Sequence, residues 1–452
     1  MSAATDPMPR PFIDPDDIRT RFSRAMSDMY RAEVPQYGTL LALVDRVNRE
    51  TLARDPALAA RLERTGDYAR LSEERHGAIR LGTAQELALI ARAFAIMNMV
   101  AVGYYDLAAA GIPVHSTAFR PVDEAALRRN PFRVFTSLLR LELIEDPDLR
   151  AEAAAILDKR QIFTDGLLLL IAKAEREGGL DDTDATSFVG ELLETFRWHA
   201  QATVDEATYG RLLSAHRLIA DIVCFKGPHI NHLTPRTIDI DAVQAAMPGE
   251  AIVPKEVIEG PPRRNCPVLL RQTSFKALDE AIAFPTGDGG LVEGRHTARF
   301  GEIEQRGVAL TAKGRALYDA LLAEHLMDAG ADAFARFPDD WTQLRREGLA
   351  FFRYSVVEHG DGEVVADTLD AAVAAGQVAA DPIIYEDFLP VSAAGIFRSN
   401  LGDGAPSPYR ANADRKAFEA ALGAPVQDEI GLYAALEAAS RDRVCRQLGL
   451  LD

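Results

Sequence analysis

Only three cysteines, Cys224, Cys266 and Cys445, occur in this 452-residue chain. The number is odd and no two are spaced C-x-x-C, which argues against a disulfide framework or a thiolate zinc site and fits a reducing compartment. Basic residues are also short: 50 Lys and Arg against 68 Asp and Glu leave a net charge of −18. A nucleic acid or an anionic membrane surface would be repelled on average. A small anion would need arginine or lysine placed at its own site. Long apolar runs are missing as well. The most apolar stretches, residues 88–102 and 156–172, carry charges or fall short of a bilayer span. Residues 1–11 hold no apolar core of signal-peptide type. These absences predict a cytoplasmic protein with neither nucleic acid nor membrane as a partner. They do not bear on oligomeric state.

What is present is ordinary globular material, 48% hydrophobic and 26% charged. The length exceeds one ordinary core. We expect a single catalytic unit, residues 1–452, in two parts. Residues 1–223 read as mainly helical and would supply the first metal ligand. Residues 224–452 read as mixed sheet and helices and would supply the remaining ligands and a substrate loop. Helical spacing is clearest over 14–34, where Asp14-Pro15-Asp16-Asp17 precedes apolar residues at Ile18, Phe22, Met26, Met29 and Tyr30. Residues 37–52, 84–99, 148–176 and 428–448 read likewise. Residues 114–120, 132–139, 266–275, 291–310, 351–357 and 383–390 read as strands. Residues 75–81 fit either period.

Three segments offer chemistry: Arg75-His76-Gly77-Ala78-Ile79-Arg80, His229-Ile230-Asn231-His232-Leu233-Thr234-Pro235-Arg236, and Phe300-Gly301-Glu302-Ile303-Glu304-Gln305-Arg306. Two imidazoles and one carboxylate suit divalent iron and leave positions open for substrate and oxygen. His76 and Arg80 are four apart, so they share a face in a helix or a strand. His229 and His232 are flanked by Pro228 and Pro235, which favour extended chain. Residues three apart on a strand point opposite ways, so only one of the two can enter a given site. Glu302 and Glu304 share a face with Arg306, and by the same alternation with His296. That face is either solvated or the wall of a polar site. His76, His232 and Glu302 are each followed by arginine at the fourth position, which fits two related sheet modules facing one cavity.

At these residues, and at Phe388-Leu389-Pro390-Val391-Ser392-Ala393-Ala394-Gly395-Ile396-Phe397, the chain resembles the 2-oxoadipate dioxygenase/decarboxylases, also called hydroxyglutarate synthases. The resemblance covers nearly the whole chain. It implies an α+β fold, a central mixed β-sheet of vicinal-oxygen-chelate type wrapped by many additional helices. It also implies an Fe(II) centre held by His76, His232 and one glutamate, with zinc or another divalent metal able to take the site during purification. The substrate contacts it implies are Arg80, Val391 and Ser392. A second similarity, to the Phe-x-Glu-Ile-x-Gln-Arg strand of the 4-hydroxyphenylpyruvate dioxygenases, favours Glu302 over Glu304. Gly301 stands where those enzymes usually carry an aromatic residue. The implied reaction converts 2-oxoadipate and O2 to 2-hydroxyglutarate and CO2, a step of lysine breakdown. Two other classes compete: a metal-dependent lyase, isomerase or hydrolase on the same scaffold, working without oxygen, and a non-catalytic helical scaffold whose histidines are incidental.

Overall fold

A computed structural model describes residues 12–73, 75–275, 279–327, 333–357, 366–389 and 414–450. The described residues open with three consecutive helices, Pro15–Glu33, Pro35–Arg54 and Pro56–Thr65, each started by a proline in its first turn. Proline is at home there, because its missing N–H has no partner to lose. Asp14 and Asp55 accept hydrogen bonds from the backbone N–H groups of Asp16 (2.8 Å) and Leu58 (3.0 Å) and cap the first and third. The apolar stripe anticipated from spacing, Ile18, Phe22, Met26, Met29 and Tyr30, is buried.

Eleven strands follow among the described residues. They are β1 (Arg75–Leu81), β2 (Val100–Asp106), β3 (Val114–Arg120), β4 (Arg133–Leu139), β5 (Leu233–Thr237), β6 (Leu270–Phe275), β7 (Glu280–Pro285), β8 (Leu291–His296), β9 (Gly301–Arg306), β10 (Phe352–Val356) and β11 (Val378–Pro382). Seven of them form a mixed sheet at the core of the fold, in the order β2-β3-β4-β1-β5-β9-β6. A separate hairpin is made by β7 and β8, and a second pair by β10 and β11. The first module runs β1, helix Ala84–Ala95, β2, β3, β4, with β1 and β4 parallel. The second runs β5, helix Ile240–Ala246, β6, the β7–β8 hairpin and β9, with β5 and β9 again parallel. The antiparallel pairing of β1 with β5 joins the two first strands at the centre. The fold is α+β, with a central mixed sheet wrapped by helices. Helices predominate before residue 223, yet four of the seven strands come from there, so the sheet crosses that boundary.

Three expectations about elements need correction. The strand read over 383–390 lies earlier, at Val378–Pro382, and among the described residues after it only Ile384 makes an isolated bridge, to Val308. The helix read over 148–176 is two helices, Pro147–Asp158 and Asp165–Glu177, the second capped by the Thr164 hydroxyl, which accepts from the Leu167 N–H (3.1 Å). The strand read over 291–310 breaks at residues 297–300 and serves two sheets. His296 therefore ends the hairpin strand β8 and is not part of β9. Among the described residues no helix is long and apolar enough to cross a membrane.

Alternation along the strands decides which side chains face the interior. On β1, Ile79 and Leu81 enter the apolar layer built with helices Pro15–Glu33 and Ala84–Ala95, which turns His76, Ala78 and Arg80 the other way. On β9, Ile303 packs with Phe275 and with Leu40, Leu43, Val44 and Val47 of the second helix. Glu302, Glu304 and Arg306 take the opposite face, and all three are buried. Burying a side chain such as Ile303 contributes about 1.5–3 kcal/mol. A one-residue slip would drive two carboxylates into that layer, so the register is firmly held.

Gly301 sits opposite Phe275 on β6. A Cβ at position 301 would lie 1.5 Å from Phe275 Cζ, so the Phe275 ring already fills the space an aromatic residue at 301 would use. Gly301→Phe should overpack this spot and lower stability by about 1–3 kcal/mol. Adding Phe275→Gly should restore most of the loss in a urea unfolding midpoint. A double variant no more stable than the single one would show that the two positions do not exchange volume.

Candidate metal centre

The sheet order makes β1, β5 and β9 neighbours, which brings the three sequence segments together. His76 lies opposite Thr234, and Arg236 opposite Glu304. Continuing that register by two residues sets His76, Thr234 and Glu302 in a row across three strands. His232 directly precedes β5. One ligand atom from each of His76, His232 and Glu302 lies within 4.8 Å of the others, and all three residues are buried. Arg80 is on the same face of β1 as His76. Val391 and Ser392 lie outside the described residues, two and three positions after Leu389.

The donor atoms fit a cation. His76 Nε2 is 3.1 Å from Glu302 Oε1, and His232 Nε2 is 3.9 Å from the same oxygen. Neither contact has hydrogen-bond alignment, and both nitrogens are buried without a hydrogen-bond partner, as is Glu302 Oε2. Buried polar atoms left in this way are costly unless something satisfies them. Two imidazole nitrogens and a carboxylate, with room for further ligands, make a set suited to a divalent transition metal. Burial lowers the His232 pKa to about 4, against the pull of Glu302, so near neutral pH this ring is neutral and keeps one nitrogen lone pair free to bind a metal.

Neighbouring groups hold the three side chains in place. Glu302 Oε1 accepts hydrogen bonds from the Thr234 hydroxyl and the Gln272 amide, both at 3.0 Å. The rings of Phe388 and Phe300 pack on His76 and His232, with centroids 4.9 and 4.7 Å away. Glu304 faces the far nitrogen of His76: its Oε2 is 3.1 Å from Nδ1, a contact also out of hydrogen-bond alignment. Burial opposes ionisation of Glu304, but Arg306, His76 and Arg133 outweigh it and bring its pKa down to about 2. Burial likewise opposes protonation of His76, and Glu304 and Glu302 outweigh it and raise the pKa.

Arg80 meets a partner that sequence spacing did not reveal. Its Nη1 donates to Asp221 Oδ2 at 2.6 Å. Asp221 Oδ1 lies 3.0 Å from His296 Nε2 and 3.4 Å from His229 Nε2, and the Tyr209 hydroxyl reaches His296 Nδ1 at 2.9 Å. Burial would raise the Asp221 carboxyl, but Arg80, His229 and His296 hold it well below the usual carboxylate range. His229 and His296 thus serve the Arg80 side and stand apart from the triad. Asp221 lies in the short helix Arg217–Val223, where one acid among apolar neighbours is the single sequence signal it leaves. The pairing of Arg133 with Glu304 and Glu386 was equally hidden, because β4 reads as an apolar strand.

Comparison with known proteins covers nearly the whole chain. A family model described as 2-oxoadipate dioxygenase/decarboxylase matches residues 22–400. The 2-oxoadipate dioxygenase/decarboxylase of Pseudomonas putida is 58% identical, over 97% of this chain and 98% of its own. That of Escherichia coli is 56% identical, over 97% and 99%. The crystal structure of the hydroxyglutarate synthase from Pseudomonas putida in complex with 2-oxoadipate superposes with a TM-score of 0.90 at 56% identity, covering 97% of this chain and 99% of that one. The chain belongs to the 2-oxoadipate dioxygenase/decarboxylase family.

Proposed function

We infer that this protein is an Fe(II)-dependent dioxygenase/decarboxylase that converts 2-oxoadipate and O2 to 2-hydroxyglutarate and CO2. The observation that carries the reading is the convergence of His76, His232 and Glu302 from three adjacent strands. The reaction balances without a second oxo acid, because the substrate supplies its own 2-oxo carboxylate. In this reading His76, His232 and Glu302 hold the metal, which when bound would supply redox chemistry with O2 and open positions for the 2-oxo acid. Thr234 and Gln272 keep Glu302 aimed at it. Phe300 and Phe388 exclude water from the two imidazoles. Arg80 holds a substrate carboxylate by charge-assisted hydrogen bonds, its guanidinium steadied by Asp221. Val391 and Ser392 take the other end of the substrate. Fixing both ends decides which carbon is hydroxylated.

The chain works as one catalytic unit in this reading, since the ligands come from both sides of residue 223 and from one sheet. We place it in the cytoplasm, where the free thiols Cys224, Cys266 and Cys445 stay reduced.

The deciding experiment is anaerobic reconstitution with Fe(II), addition of 2-oxoadipate, and measurement of O2 uptake against CO2 release. Equal amounts are expected. Product formed without O2, or with zinc in place of iron, would replace the dioxygenase by a Lewis-acid enzyme. Arg80→Lys keeps the charge and loses the fork. It should lower kcat/KM about 10–100-fold, the rate equivalent of the roughly 1.5–3 kcal/mol carried by a hydrogen bond to a charged group. Metal content should not change. An unaltered kcat/KM would remove Arg80 from substrate binding.

A further inference from the structure

Glu304 closes a buried circuit that touches both the metal centre and residues 385–388. Its Oε2 faces His76 Nδ1 at 3.1 Å, and its Oε1 accepts from Arg306 Nε at 2.8 Å. The same Arg306 donates through Nη1 to the carbonyl oxygens of Tyr385 and Asp387, both at 2.9 Å. Its guanidinium lies over the Phe388 ring, 5.4 Å from the centroid. Phe388 returns to the His76 ring. Arg133 ties Glu304 to Glu386 on a second path. Every member of the circuit is buried.

Such a circuit has few independent arrangements, because interiors are close-packed and a buried carboxylate needs its donors. His76 can meet a metal through Nε2 only in the tautomer that carries its proton on Nδ1, and that N–H then needs an acceptor. Glu304 Oε2 is the acceptor in reach, and a turn of the imidazole aligns the two. The turn also shifts the edge-to-face contact between the His76 and Phe388 rings, whose centroids lie 4.9 Å apart.

We propose that Glu304 is a positioning residue which couples metal capture at His76 to the placement of residues 385–389. It rests on the reading of His76, His232 and Glu302 as the metal site. Metal loading thereby fixes the placement of residues 385–389 beside the metal centre.

The test uses the full chain stripped of metal, with Co(II) alone as the probe. Co(II) affinity is read by its visible absorption, and placement of residues 385–389 by amide hydrogen exchange. In the wild type, Co(II) should slow exchange across 385–389. Glu304→Gln should bind Co(II) about 10–100-fold more weakly, the usual effect of losing the group behind a ligating histidine. At saturating Co(II) it should show no slowing. Arg306→Lys leaves Glu304 beside His76 and removes the bridge to the two carbonyls. It should keep Co(II) affinity near the wild-type value and show clearly less slowing, since only the links through Arg133 and the Phe388 ring remain. If Glu304→Gln does not fold, the wild type and Arg306→Lys decide the matter. Co(II) bound by the wild type with exchange at 385–389 unchanged overturns the coupling alone. No Co(II) bound at all overturns the triad reading beneath it. Undiminished slowing in Arg306→Lys also overturns the coupling.

Discussion

Glu302→Ala is expected to empty the metal centre and to lower turnover by about a thousandfold or more, the largest catalytic effect of any single change considered. The scale follows from comparison. Losing a group that merely orients a ligand costs roughly 10–100-fold in metal affinity or activity. Glu302 is itself the carboxylate of the triad, and its loss leaves two imidazoles that cannot define three corners of a site. It also strands two buried donors, the Thr234 hydroxyl and the Gln272 amide, which converge on its Oε1. Metal content after dialysis, measured beside activity, tests the expectation. Glu304→Gln supplies the contrast, because it should weaken metal binding without abolishing it. If Glu304→Gln empties the site and Glu302→Ala retains metal, the two glutamates have been assigned the wrong way round.

The largest stability effect is expected at Arg120. This fully buried side chain on β3 grips Asp387 with two hydrogen bonds, Nε to Oδ1 at 2.6 Å and Nη2 to Oδ2 at 2.9 Å. The Tyr433 hydroxyl also donates to Asp387, at 2.5 Å. The pair spans 267 positions of sequence and ties the first module to the segment beside the metal centre. Arg120→Met would leave Asp387 as a buried charge facing one hydroxyl. Breaking a buried pair from one side costs about 3–5 kcal/mol, whereas replacing both partners by apolar groups is often close to neutral. Arg120→Met should therefore shift the urea midpoint strongly, and Arg120→Met with Asp387→Leu should recover much of the loss. A double variant as unstable as the single one would mean that Asp387 is not the stranded group.

Local signals in the residues account for several features. The helix Pro15–Glu33 follows from its cap, its proline and its spaced apolar residues. The same holds for β3 and β4, whose strand character is dense in their residues. Parity alone places His76 with Arg80, and Glu302 with Glu304 and Arg306. Other features leave no local trace. Asp221 reaches Arg80 across 141 positions, and Arg133 reaches Glu386 across 253. The hairpin β7–β8 hid inside a longer extended run because a chain leaving one sheet for another keeps its alternation until it turns.

By itself, then, the sequence determined most element types, the shared faces of His76 with Arg80 and of Glu302 with Glu304 and Arg306, the family and the three segments able to bind a metal. Period-two alternation is a property of one strand, and it names companions without saying what they face. Whether Glu302, Glu304 and Arg306 met water or an interior depended on which strands lay beside β9 and what packed across it. Those are pairings between residues far apart in the chain. Only the tertiary structure put β1, β5 and β9 side by side, set His76 and His232 around Glu302, turned His229 toward Asp221, and placed Glu304 behind His76.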